Sequence, residues 1–274
     1  MKNLGIKNIQ PGHWWLSAGM VPTSLYLAFI LIPILALVIR VIQDGNFLPS
    51  VGNDHVLTAL RLSMVTSLIA VAVTLAVGTP FAYLMANTRF PGQRIVDVLI
   101  ELPLVMPPVA AGLAMLMAFG RRGVLGGVLD SLGLEIPFTL LAVVFAQVFV
   151  AAPFYIRSAR IGFQGIDRTY TDLSLTLGHS PWRTFWSISV PLAMPSLLGG
   201  VVLSWARAIS EFGATLVFAG NFSGRTQTMP LAIVGALESD LSHAMALALV
   251  LLLMSAIVLI ATTFIGARWL GGRS

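Results

Sequence analysis

YTDLSLTLGHSPWRTFWSISVPLAMP, Tyr170–Pro195, stands between two long apolar segments of a 274-residue chain. It carries its own stop and start signals. Asp167, just upstream, offers a carboxylate to cap a short helix running to about Leu177. Gly178 suits the left-handed position that closes a helix. Ser180 offers a second cap, and Pro181 fits the first turn of the helix that follows. The stretch therefore reads as a short helix of ~15 Å, a sharp corner and a second helix. Trp182 and Trp186 lie one turn apart, as aromatic anchors at a lipid–water boundary do. Pro191 and Pro195 mark kinks beyond them. A passive connection needs only to be short and polar. Tyr170–Pro195 is either a helix resting in the membrane interface or a shape made to be held.

The surrounding composition names the solvent. The chain is 57% hydrophobic and 10% charged, with a mean hydropathy of +0.90, whereas a soluble domain carries about 25% charged residues. Lipid must cover much of its surface. The net charge of +5 belongs to basic residues between apolar runs, which points to a membrane surface and not to nucleic acid. With no cysteine in the chain, disulfides and thiolate metal sites are excluded.

A helix crosses the hydrocarbon with about 20 apolar residues. Six stretches qualify: Met20–Ile42, Leu57–Ala86, Ile95–Phe119, Phe138–Ile161, Phe185–Ala219 and Ala244–Leu270. The fold expected is all-α, one integral membrane domain over 20–274 behind a cytoplasmic tail, 1–19. The first run is too long for a signal-peptide core and reads as an uncleaved span. The third contains ELPLVMPPVAAG, where Pro103, Pro107 and Pro108 remove backbone donors and predict a broken helix. Broken backbone at membrane depth survives only within protein or beside a water-filled cavity, so this segment is expected near a pore or the bundle core and not against lipid.

Basic residues orient the chain. With the N-terminus inside, Lys2, Lys7, Arg89, Arg94, Arg157, Arg160, Arg168, Arg183, Arg268 and Arg273 are cytoplasmic, against Arg40, Arg61, Arg121, Arg122 and Arg225 outside. This follows the positive-inside rule, with Arg121 and Arg122 as a local exception. Both termini and the Tyr170–Pro195 elbow are then cytoplasmic.

Asp172, Gly178, Pro181 and Val190–Pro191 are ordered as in the cytoplasmic motif of ABC importer permeases, which this chain resembles. The family pattern begins Glu-Ala-Ala where this chain has Asp172-Leu173-Ser174. SWARAISEFGATLVFAGNFSGRTQTMPLAI (Ser204–Ile233), FGRRGVLG (Phe119–Gly126) and ELPLVMPPVAAGLAML resemble the oxyanion importer permeases, the molybdate type most closely. The resemblance spans about Leu57–Arg268. It implies a type I ABC importer transmembrane domain, with a core of about 57–268 and a coupling segment of about 167–191. In such a family the short helix docks on an ATPase subunit, so Asp172, Gly178, Ser180, Pro181 and Pro191 become coupling candidates. The implied partners are two ATPase copies, an extracytoplasmic substrate-binding protein and a second permease copy as homodimer. The implied place is a bacterial or archaeal cytoplasmic membrane, and the implied cargo is molybdate, then tungstate or sulfate.

Several chemistries are missing. Lys2 and Lys7 are the only lysines, and neither ends a phosphate-binding Gly-rich loop, so ATP hydrolysis falls to another polypeptide. His13, His55, His179 and His243 are scattered, without metal-ligand spacing. No catalytic site, cofactor or metal is expected. An ion-coupled secondary transporter is the alternative, since such carriers bury acids in their spans. Glu211 is its clear candidate, with Asp97 and Glu101 near a helix start. Arg207 and Glu211, four apart, are expected on one helix face, as an internal ion pair or as a gate element. Gly213 beside them permits close helix approach. With Pro107 and Pro108 these three complete the pathway candidates. Arg121, Arg122 and Arg225 either concentrate anions outside or contact acidic loop groups.

Overall fold

The computed structural model describes the backbone of residues 13–271 and the side chains of residues 20–260. Residues 1–12 of the expected tail, with Lys2 and Lys7, and Arg273 at the other end lie outside the described residues. The described chain is helical throughout. It opens with α1 (His13–Asp44), α2 (Phe47–Val51), α3 (Asp54–Asn87), α4 (Gln93–Val105), α5 (Pro108–Phe119), α6 (Gly126–Ser131) and α7 (Leu140–Gln164). It continues with α8 (Arg168–Thr176), α9 (Pro181–Thr184), a π-turn (Phe185–Ser189), α10 (Val190–Ile209), α11 (Gly213–Ala219), α12 (Met229–Leu237) and α13 (Leu241–Gly271).

Among the described residues, five segments are long and apolar enough to span a bilayer: Met20–Asp44, Asp54–Asn87, Leu140–Gln164, Pro181–Ile209 and Leu241–Ile260. The pair α4 and α5, bent by 118° between them, is together long and apolar enough for a sixth, as one broken span or as a re-entrant loop. The break falls where the prolines predict it. Met106 (ψ 133°) and Pro107 (ψ 133°) are both extended, because each precedes a proline whose ring excludes the helical conformation.

The first helix starts at His13, ahead of the apolar run that begins at Met20. The fifth stretch, read as one run over Phe185–Ala219, is two helices: α10 ends at Ile209, Ser210–Phe212 are non-helical, and α11 begins at Gly213. Only Ser210 and Glu211 interrupt the apolar residues here, and the run resumes at Phe212, so hydropathy averaged over a span does not mark the break. Before α10, the N–H of Val190 reaches back to the carbonyl of Phe185. Pro191 follows directly, and a proline there displaces the regular ladder; the π-turn absorbs the fault without stopping the helix.

α3, α7 and α10 form the centre. Gly162 faces Ser196 and Gly200 faces Ser158 so closely that an added Cβ would stand 2.5 and 2.9 Å from the opposing Cβ atoms. Such small-residue seams let membrane helices gain dispersion contacts where lipid offers no hydrophobic drive. Tyr155, Ala159, Phe163, Phe185, Ala193 and Leu197 fill the end near α8. Ala111, Met115, Ala146, Val150, Ala214 and Phe218 join α5, α7 and α11 at the other end. α1 stands at the edge, touching α2 and α13.

Candidate functional site

Asp167 caps α8 by accepting from the Thr169 N–H at 2.9 Å and the Thr169 hydroxyl at 2.8 Å. These bonds, the backbone one first, hold its carboxyl below the usual carboxylate range. The far end of α8 closes with Gly178 at φ +84°. Gly178 N–H donates to Leu175 O at 3.0 Å and His179 N–H to Ser174 O at 3.2 Å, the paired bonds of a Schellman cap. Ser180 accepts from the Arg183 N–H at 3.3 Å, with Pro181 in the first turn of α9. The corner's centre is Ser174, which the motif marks only as a departure from the family pattern. Ser174 is buried, its hydroxyl 2.9 Å from that of Thr184 and 3.1 Å from His179 Nδ1. It ties α8 to α9, so helix and corner behave as one piece. Tyr170, Leu173 and Leu177 remain exposed, at a spacing that forms an apolar stripe along one face. Asp172 is exposed beside them. Trp182 and Trp186 are exposed too, their rings 5.7 Å apart in a T-shaped contact.

The second constellation lies where the broken helices meet. A Cβ on Gly213, the first residue of α11, would sit 2.8 Å from Pro108 Cβ and 3.2 Å from Val109 N. A Cβ on Gly112 would sit 2.7 Å from Ala214 O. The start of α5 therefore rests on the start of α11, break against break. Glu211 holds the second break. Its Oε1 accepts from the Ala214 N–H at 2.8 Å, capping α11, while Oε2 lies 2.7 Å from Arg207 Nη1. The Oε2 contact is a Coulombic pair without hydrogen-bond alignment. Glu211 is 1% exposed and Arg207 27%. The two meet as expected, but not on one helix face, since α10 has ended before Glu211. The capping role had a faint signal: Glu211 two residues before a glycine, inside an otherwise apolar run.

Asp97 pairs with Arg160, so it is no lone acid in a span, and Glu101 is exposed. At the opposite end of α7 from α8, a cavity of about 500 Å³ is lined by Phe119, Arg121, Glu135, Phe138, Phe222 and Arg225, among others. Arg121 pairs there with Glu135, matching the acidic loop contact. Pro191 follows the π-turn, and Pro107 and Pro108 are exposed at the first break.

The pattern of the binding-protein-dependent transport system inner membrane components matches residues 78–271. A molybdenum transport system permease, ModB of Mycobacterium tuberculosis, is 38% identical over 251 residues, covering 90% of this chain and 92% of that protein. A sulfate transport system permease, CysW of Synechococcus elongatus, is 34% identical over 225 residues, covering 80% and 79%. Among solved structures, a bacterial ABC transporter that imports alginate superposes with a TM-score of 0.75 over 93% of this chain and 96% of the other. Its sequence identity is 13%, so that likeness is one of fold.

Proposed function

The chain belongs to the binding-protein-dependent transport system inner membrane components, the permease subunits of ABC importers, and from that premise we propose that it forms the pathway for a tetrahedral oxyanion. Molybdate is the first candidate, with tungstate or sulfate next. One observation carries the cargo: relatives named for molybdenum and sulfate transport, at 38% and 34% identity, cover 90% and 80% of the chain. The seam is consistent with it. Arg207 is the partly exposed base beside the breaks, and Glu211 offsets its charge. An anion passing there would meet donors without a deep trap, as conduction requires.

Two ATPase subunits, an external binding protein and a second copy of this chain complete the assembly in this proposal, with both termini cytoplasmic. α8 and its corner dock on the ATPase through Asp172 and the Tyr170–Leu173–Leu177 stripe. Gly178, Ser180, Pro181 and Pro191 keep the corner and the helix behind it in one geometry. Closure of the ATPase pair swings α7 and α10 through that corner and shifts the α5–α11 seam between the two sides. The ion-coupled alternative loses its main residue, because the Glu211 carboxylate is occupied by Arg207 and Ala214.

The test is competition. In vesicles holding this chain, the ATPase and the binding protein, unlabelled tungstate and sulfate should reduce uptake of labelled molybdate, tungstate most strongly. Uptake indifferent to all these anions, but competed by an amino acid or a sugar, would overturn the cargo and leave the permease standing.

A further inference from the structure

On the α8 side, a cleft of about 410 Å³ opens where α3 ends, α4 begins and α7 gives way to α8. Arg89, Arg94, Arg160 and Arg168 line it, and Asp97 is the one acid among its described lining residues. Asp97 is engaged by Arg160, whose Nε is nonetheless buried without a hydrogen-bond partner. Three further arginines, Arg89, Arg94 and Arg168, therefore line a polar recess with no acid of their own in the lining. Gathered like charges repel, and a concave recess screens them less than open water does. An anion with several oxygens would relieve both costs, since guanidinium groups bind such oxygens in pairs.

The neighbouring helix says what else the ligand carries. None of the residues of α4 is buried. Ile95, Val98, Leu99 and Leu102 are exposed, and they climb away from Arg94 over about 12 Å of helix. A free inorganic anion would fill the recess and leave this apolar track bare. We propose that the cleft is the headgroup site of an anionic phospholipid, with its phosphodiester among Arg89, Arg94 and Arg168 and an acyl chain along α4. Basic pockets between membrane helices are suited to such headgroups. Arg168 is the first residue of α8, so the bound lipid ties the base of that helix to α3 and α4. The inference rests on the permease reading only for the leaflet concerned and the consequence for coupling.

The test is native mass spectrometry of the purified full-length chain, titrated with phosphatidylglycerol, phosphatidylcholine and glycerol 3-phosphate. Phosphatidylglycerol should bind about tenfold more tightly than phosphatidylcholine. Arg89→Gln/Arg94→Gln should abolish that preference, Arg168→Gln should weaken it, and Arg122→Gln, the same charge change at the opposite end, should leave it intact. Helical content by circular dichroism separates lost binding from lost fold, and Arg168→Gln, at an exposed first turn, serves if the double variant unfolds. Equal binding of the two lipids, or an unchanged preference in folded cleft variants, overturns the proposal. Displacement of phosphatidylglycerol by equimolar glycerol 3-phosphate overturns it in favour of a free-anion site. Molybdate uptake that persists without lipid preference defeats this inference alone, whereas lipid preference without uptake defeats the transport reading alone.

Discussion

Arg207 and Glu211 are unequal partners. Glu211 is 1% exposed and Arg207 27%, so the cost of isolation falls mainly on the acid. Removing one member of a buried pair costs about 3–5 kcal/mol, and water reaching Arg207 lowers that figure here. Arg207→Ala strands the carboxylate. Glu211→Ala frees the arginine and also uncaps α11 at Ala214. The double alanine variant should lose less thermal stability in detergent than the sum of the two single losses, by a coupling of about 1–3 kcal/mol. Additive losses would show that the pair does not act as one. Glu211→Gln keeps an acceptor for Ala214 and should be milder than Glu211→Ala. That both residues are ionisable and four apart was plain in the sequence. That a helix ends between them was not, because Phe212, Ala214, Leu216 and Val217 extend the apolar run past the break.

Among the elements, α8 shows how much local chemistry determines. Asp167 at one end, Gly178 at the other and the Ser180–Pro181 restart each act within four residues of their own position. Such signals need no tertiary information, and the helix lies where they place it. Ser174 is different: its partners His179 and Thr184 come together only after the corner has formed. An added Cβ at Gly178 meets nothing within 4 Å, so substitution there costs backbone conformation alone. A left-handed conformation costs an ordinary residue about 1–2 kcal/mol, and a β-branched one more. Gly178→Val should therefore weaken ATPase association in pull-down by tenfold or more, or leave ATP hydrolysis running without uptake. Gly178→Asn should retain most of both. Normal association and uptake in the valine variant would remove α8 from the coupling role. The α4–α5 pair divides in the same way. Its break was legible from Pro107 and Pro108, while its 118° bend depends on α11 receiving α5, a contact between segments about a hundred residues apart.

For the whole molecule, the hydropathy runs and the basic asymmetry carry the architecture, and they make sidedness testable. The chain has no native cysteine. Single cysteines placed at Lys7 and Arg273 should resist an impermeant thiol reagent in intact cells, while one at Arg122 should react. Labelling at either terminus would reverse the orientation. The α5–α11 seam was only partly legible, because a contact between two broken helices is a property of packing and not of any one segment. The source of energy separates a permease driven by an ATPase partner from an ion-coupled carrier. In sealed vesicles with labelled molybdate outside, uptake should require this chain, the binding protein, and an ATPase with ATP on its own side. It should persist when proton and sodium gradients are collapsed. Uptake by this chain alone, driven by an ion gradient and indifferent to ATP, would contradict it.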